Sequence, residues 1–168
     1  PSRMYSDLFA TTPAGTDRRI TDSARIWDID VHPSGGVAIG VANADGTNHP
    51  VLVDLETAVV RPLVAPDLDT HWAEPRWSPD GSRVAISRWR AGGRFDVVVL
   101  DSAGNEVWQV TGGASLERAP TWSPDGRFIL YSSDRTGIPN LYAYDWDSDA
   151  TWQVTRVLSG AFQPDVSR

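Results

Sequence analysis

Pro75-Arg76-Trp77-Ser78-Pro79-Asp80-Gly81 recurs 45 residues later as Pro120-Thr121-Trp122-Ser123-Pro124-Asp125-Gly126. A degraded copy, Val31-His32-Pro33-Ser34-Gly35, lies 46 residues before the first. Gln163-Pro164-Asp165-Val166-Ser167 repeats the lead-in 44 residues after Pro120. A second marker keeps the same period: Trp108-Gln109-Val110-Thr111 returns 44 residues on as Trp152-Gln153-Val154-Thr155. Two independent markers with one spacing make chance similarity improbable and identify a repeat architecture.

The Ser-Pro-Asp-Gly tetrad has a mechanical reading. Pro79 and Pro124 preset φ near −65° at the second position of a type I turn. Ser78, Asp80, Ser123 and Asp125 can bond nearby backbone amides. Gly81 and Gly126 supply the left-handed residue of a G1 bulge, which restores hairpin twist. These eight residues are therefore structural turns, and Trp77 and Trp122 are expected to pack between neighbouring units.

The segments after each Gly read as strands. Arg83-Val84-Ala85-Ile86-Ser87 and Arg127-Phe128-Ile129-Leu130-Tyr131-Ser132 are succeeded by Asp96 to Leu100 and Asn140 to Tyr144, all rich in β-branched or aromatic residues. No stretch sustains a 3.6-residue period with caps, so the chain is expected to be all-β. Four short strands in a repeat of about 45 residues is the arithmetic of a four-stranded antiparallel β-propeller blade.

The pattern Pro-x-Trp-Ser-Pro-Asp-Gly, then Arg-x-x-x-x-Ser, a strand ending in Asp and a closing Trp-Gln-Val-Thr resembles the WD40-like PD40 repeat. That repeat is found in TolB-like propellers and in the propeller domains of prolyl-oligopeptidase-type serine peptidases. Asp17-Arg18-Arg19-Ile20-Thr21 is similar to the Arg-x-Leu-Thr ending of a TolB-like blade. The resemblance implies a ring of six to eight blades. It is strong over 72–111 and 117–155 and weaker over 27–65, where Ser34 and Gly35 replace Asp-Gly and no Trp-Gln-Val-Thr closes the unit.

The whole of 1–168 reads as a single β-propeller region. Complete blades are expected at about 27–65, 72–111 and 117–155, with partial blades at 5–21 and 159–168. Residues 5–10 and 17–21 would be the outer strands of one partial blade, and 161–167 the innermost strand of the other. A four-bladed ring built from these pieces would lack one interior strand. The chain is therefore expected to be an open arc of a larger propeller, able to self-associate through its open blade faces. It opens on Pro1 without an initiator Met or a signal peptide, which predicts a mature or excised piece.

Composition narrows the function. The 168 residues carry a net charge of −7 and no Cys. Every basic residue is Arg, and no basic stripe suited to nucleic acid is visible. No apolar run reaches the ~18 residues of a membrane helix. His32, His49 and His71 share no ligand spacing. Asp145-Trp146-Asp147-Ser148-Asp149 begins like a calcium loop, but Ala150 and Arg156 stand where an EF-hand needs Gly and Glu. There is no Gly-x-Ser-x-Gly elbow, P-loop or dinucleotide fingerprint. The sequence thus points to no catalytic residue, metal or cofactor.

The loops opposite the Ser-Pro-Asp-Gly turns carry Arg25, Trp27, His71, Trp72, Glu74, Arg88, Trp89, Arg90, Glu117, Arg118, Asp134 and Arg135. Trp and Arg dominate interface hot spots, so this loop face is the expected protein-binding surface. The leading expectation is a non-catalytic scaffold that binds a protein partner or the remainder of a larger propeller. If it resembles TolB in location, it is periplasmic or otherwise extracytoplasmic. The alternative is the propeller of a serine peptidase, gating a separate catalytic domain, which would be cytoplasmic. A carbohydrate-binding or carbohydrate-cleaving propeller is a remote third reading.

Overall fold

A computed structural model describes residues 5–167, and every regular element among them is a β-strand. A two-stranded sheet, β1 (Phe9–Thr11) and β2 (Asp17–Arg19), precedes three four-stranded antiparallel sheets. The first contains β3 (Ile26–Val31), β4 (Val37–Ala44), β5 (Thr47–Asp54) and β6 (Val60–Pro62). The second contains β7 (Thr70–Trp77), β8 (Arg83–Arg90), β9 (Phe95–Asp101) and β10 (Glu106–Gln109). The third contains β11 (Glu117–Trp122), β12 (Phe128–Ser133), β13 (Asn140–Asp145) and β14 (Ala150–Gln153). Within each sheet the strands lie in chain order, and β3 neighbours β7 as β7 neighbours β11. This is a propeller arc. No ladder joins its two ends among the described residues.

Successive sheets stack face to face, so a middle sheet is buried on both sides. Val84 and Ile86 of β8, with Val98 and Leu100 of β9, pack on Ile39 and Leu52 of the first sheet. The alternate residues Ala85, Val97 and Val99 pack on Ile129, Tyr131, Tyr142 and Tyr144 of the third. Trp77 fills the first of these interfaces and Trp122 the second. Because a strand's period is two, burying both faces demands an unbroken apolar run. Val97-Val98-Val99-Leu100 is such a run, with no residue more than 1% exposed. Each of these side chains contributes roughly 1.5–3 kcal/mol by leaving water.

The tetrad folds as its chemistry requires. Gly81 N–H donates to Ser78 O (2.9 Å) and Ser78 Oγ to Asp80 Oδ1 (2.6 Å). Ser82 N–H also donates to Asp80 Oδ1 (3.0 Å), and the Ser78 bond followed by this one holds the Asp80 carboxyl down at about 2. Gly81 and Gly126 have φ of 72° and 73°. The weaker first copy has a different device. His32 stands where Ser78 and Ser123 stand, packs edge-on against Trp77 at 4.8 Å, and places Nε2 3.1 Å from Gly81 O. It links the first turn to the second across the sheet interface.

The closing threonine also has a physical role. Thr21, Thr111 and Thr155 each place Oγ1 to accept the N–H of Leu8, Val97 and Leu141, at 2.9, 2.8 and 2.9 Å. Those three residues also accept, through their carbonyls, the N–H groups of Ile20, Val110 and Val154. In the first four-stranded sheet Pro50 occupies this position, its carbonyl accepting Leu63 N–H, and Val64 stands in place of the threonine. Proline has no N–H. The hydroxyl therefore has nothing to satisfy, and its loss costs nothing.

Two expectations meet a different outcome. Residues 161–167 form no strand. They keep some of a first strand's anchoring, since Ala161 N–H donates to Pro139 O (2.8 Å) and Ser132 Oγ to Ala161 O (3.0 Å). A ladder needs a partner strand, and no described strand pairs with them. At the other end the first strand begins at Phe9 rather than at residue 5, with Leu8 buried against Ile26, Ala42, Val51 and Val53.

The turns and closures can be tested by substitution. Thr111→Val should destabilise by about 1–3 kcal/mol, because it strands the buried Val97 amide, whereas Val64→Thr should leave stability unchanged; thermal melts distinguish them. Gly81→Ala should cost more than Gly126→Ala. Both force an L-residue to positive φ, roughly 1 kcal/mol or more. A Cβ at Gly81 would also lie 2.2 Å from His32 Nε2, while one at Gly126 meets nothing nearer than Pro79 Cδ at 3.7 Å. Equal losses would remove the His32 contribution.

Candidate functional site

The first strands of successive sheets lie side by side and form the inner wall of the arc. A cleft of about 740 Å³ runs along one end of that wall. It is lined by Asp30, Val31 and Pro33, by Arg76, Trp77 and Pro79, by Thr121, Trp122 and Pro124, and by Asp165 and Val166, which puts it at the turn end of the wall. These are equivalent positions from three sheets and from the C-terminal segment. A second hollow of about 360 Å³ adjoins it, lined by Asp28, Glu74, Arg76, Ala119 and Gln163 among others.

Each first strand carries a bulge at the centre of this wall. The pairing register slips between Trp27 and Asp30, between Ala73 and Arg76, and between Arg118 and Thr121. Inside the slips Asp28, Glu74 and Ala119 have φ of 50°, 57° and 55°, and Gln163 repeats the conformation at 51°. Such values are costly for residues other than Gly and persist only when surrounding contacts hold them. The contacts are side chains reaching to the next unit. Asp28 Oδ2 accepts Glu74 N–H at 3.3 Å. Glu74 Oε2 accepts Ala119 N–H (2.9 Å) and Ser87 Oγ (2.9 Å), while Arg118 Nη2 donates to Glu74 Oε1 (3.0 Å). Asp30 Oδ2 likewise accepts Trp77 N–H at 2.8 Å.

Of the residues expected on the loop face, only Arg25, Asp134 and Arg135 lie outside strands. Trp27 is on β3; His71, Trp72 and Glu74 are on β7; Arg88, Trp89 and Arg90 are on β8; Glu117 and Arg118 are on β11. Arg90 and Arg135 are exposed, as is Arg25, whereas Trp27, His71, Glu74, Trp89, Arg118 and Asp134 are half-buried. His71 and Trp89 lean together at 5.3 Å between ring centres.

Trp72, Arg88 and Glu117 are corrections to that surface, being 6%, 2% and 4% exposed. Trp72 fills the interface between the first two sheets. Arg88 is paired with Glu106, and Glu117 Oε1 accepts Ser133 Oγ (3.0 Å) and Arg135 Nη2 (2.5 Å). They fasten the mouth of the arc from within. Burial pushes the Asp96 carboxyl up, Glu117 pushes it further, and Arg88 opposes both. Its Oδ1 is buried without a hydrogen-bond partner.

Among the described residues no group of three His, Asp or Glu side chains gathers as a metal site. His32 sits at a turn and His49 is buried within β5. The Asp145 to Asp149 stretch is a hairpin tip in which Arg127 Nη2 pairs with Asp145 at 2.7 Å, holding that carboxyl well below its ordinary range.

The family model of the PD40 TolB β-propeller domain matches residues 41–168. The chain belongs to the TolB β-propeller family. It is 37% identical over 90 residues to the Tol-Pal system protein TolB of Anaeromyxobacter sp. (strain K), a match covering 52% of this chain and 20% of that relative. A solved Agrobacterium tumefaciens structure attributed to TolB superposes with a TM-score of 0.81 at 25% identity, over 96% of this chain and 59% of that one. A Mycobacterium tuberculosis puromycin-hydrolyzing peptidase shares the fold, with a TM-score of 0.65 at 20% identity over 84% of this chain and 26% of the peptidase. The chain thus spans less than two thirds of the length of each of these relatives.

Asp96 supplies a test of the mouth electrostatics. A carboxyl raised in the folded state binds its proton more tightly there, so its ionisation weakens the fold as pH rises above the unfolded value of about 4. Asp96→Asn should therefore melt higher than the parent at pH 7, and the gain should shrink as pH falls toward about 4 and vanish below it. A lower melting temperature at pH 7 would show that attraction to Arg88 outweighs burial.

Proposed function

We propose that this chain is a portion of a non-catalytic TolB-like propeller that binds a protein partner through the mouth and inner wall of its arc. The observation carrying the reading is the cleft of about 740 Å³, walled by first-strand residues of every four-stranded sheet. At the opposite end of the wall from this cleft, the mouth offers exposed Arg25, Arg90 and Arg135 beside half-buried Trp27 and Trp89, the residue types that anchor interfaces. By its resemblance to TolB the protein works in the periplasm. The second reading, a peptidase propeller gating a catalytic domain elsewhere in the polypeptide, draws on the fold shared with the puromycin-hydrolyzing peptidase; in that case the chain still carries no chemistry of its own.

The test is capture from native extract with an immobilised chain. A protein retained by the parent and by Arg61→Glu, an exposed change on outer strand β6, should be lost with the double variant Arg25→Glu/Arg90→Glu. Capture that survives the mouth variant overturns the surface. Peptidase turnover by the purified chain, abolished by one substitution within it, overturns the non-catalytic reading.

A further inference from the structure

The inner wall contains one position repeated three times in which two copies are filled and the third is open. Asp28 reaches from the first sheet to the backbone N–H of Glu74 in the second, and Glu74 reaches from the second to the N–H of Ala119 in the third. The next step would run from Ala119 to the N–H of Gln163. Ala119 holds the same bulge conformation as its two counterparts but has no carboxylate to extend. The Gln163 N–H accordingly has no acceptor among the described residues.

Where that carboxylate would lie there is a cavity of about 300 Å³, lined by Leu116, Ala119, Ser132, Pro139, Phe162 and Gln163, together with the Glu74–Arg118 ion pair and Asp134, whose Oδ1 already accepts Leu116 N–H. Two of its polar groups correspond to those around Glu74. Ser132 stands where Ser87 donates to Glu74 Oε2, and the Gln163 N–H stands where the Ala119 N–H does. Its remaining walls differ. Phe162 stands at the repeat position equivalent to Arg118 and, with Leu116 and Pro139, forms an apolar side, while Arg118 itself borders the cavity and is held by Glu74.

We propose that this slot receives a glutamate side chain from a partner, carried next to an aromatic or aliphatic residue. The filled copy defines the polar end of the ligand: one carboxylate oxygen taking two hydrogen bonds, from the Gln163 N–H and from the Ser132 hydroxyl. That hydroxyl now donates to Ala161 O at 3.0 Å and would turn to the incoming oxygen. The apolar walls define the other end, a hydrophobic group seated against Phe162, Leu116 and Pro139. Hydrogen bonds to an ionised acceptor are roughly twice as strong as neutral ones, so the slot separates an acid from its amide. The inference rests on the scaffold reading and names the chemistry of the segment it would hold.

The probe is the blocked dipeptide acetyl-Phe-Glu-amide, titrated into the full ¹⁵N-labelled chain. The Gln163 and Phe162 amide resonances should shift saturably, and acetyl-Phe-Gln-amide should bind at least about tenfold more weakly. Ala119→Glu should fill the slot from within, moving the Gln163 resonance in the same direction and abolishing peptide binding. Phe162→Ala should weaken binding without that pre-shift, which keeps the test decisive if Ala119→Glu does not fold. No saturable shift, equal affinity for the two peptides, or tighter binding of acetyl-Phe with its free terminal carboxylate would overturn the assignment. The slot is built from residues other than Arg25 and Arg90, so failure here and failure of the wider mouth surface are separate results.

Discussion

The packing of one sheet's aliphatic face against the Trp-bearing first strand of the next is the contact on which the molecule depends. It makes the middle sheet apolar on both sides, with Val84, Ile86, Val98 and Leu100 turned one way and Ala85, Val97 and Val99 the other. It fixes strand register, because a slip of one residue would exchange the two sets and put each against the wrong neighbour. It also sets the first strands side by side, and so creates the inner wall. Stability in such a stack is a sum of nearest-neighbour terms, and the second sheet has a four-stranded neighbour on both faces.

The wall pays for its shape in backbone conformation. Three non-glycine residues with positive φ, one at the bulge of each four-stranded sheet, are tolerated because the side chains at two of them bond the next sheet's backbone. Strain and inter-sheet linkage are thus two sides of one device: the bulge turns a side chain off its own ladder and toward its neighbour. Where the side chain is only a methyl group, at Ala119, the device leaves open space instead of a bond.

The repeat is legible in the sequence because turn chemistry is local. Ser78 to Gly81 and Ser123 to Gly126 need no distant partner to dictate their conformation, and the Trp-Gln-Val-Thr stretches mark the outer strands through Thr111 and Thr155. The inner wall is only half legible. The Glu74-Pro75, Ala119-Pro120 and Gln163-Pro164 pairs are visible as a lead-in, yet nothing short-range says that the residue before each proline takes positive φ. Residues 161–167 keep that conformation at Gln163 without forming a strand, since a ladder depends on a neighbour that sequence pattern does not supply. Trp72, Arg88 and Glu117 look like surface residues by type. Their burial arises only when a second sheet arrives to cover them.

Pro50 and Val64 depend on each other unequally. Each is a departure from the repeat, and Val64 is harmless only in the company of Pro50. A sheet that first exchanged its closing threonine for valine would hold an amide donor with nothing to receive it. A sheet that first exchanged a strand residue for proline would merely have an idle hydroxyl. The permissive route therefore runs through proline. Once Val64 is in place the route is closed behind it, because restoring an ordinary residue at 50 would recreate the orphan donor. The irregular copy is ratcheted in one direction: while Val64 stands, Pro50 cannot be replaced without orphaning a donor.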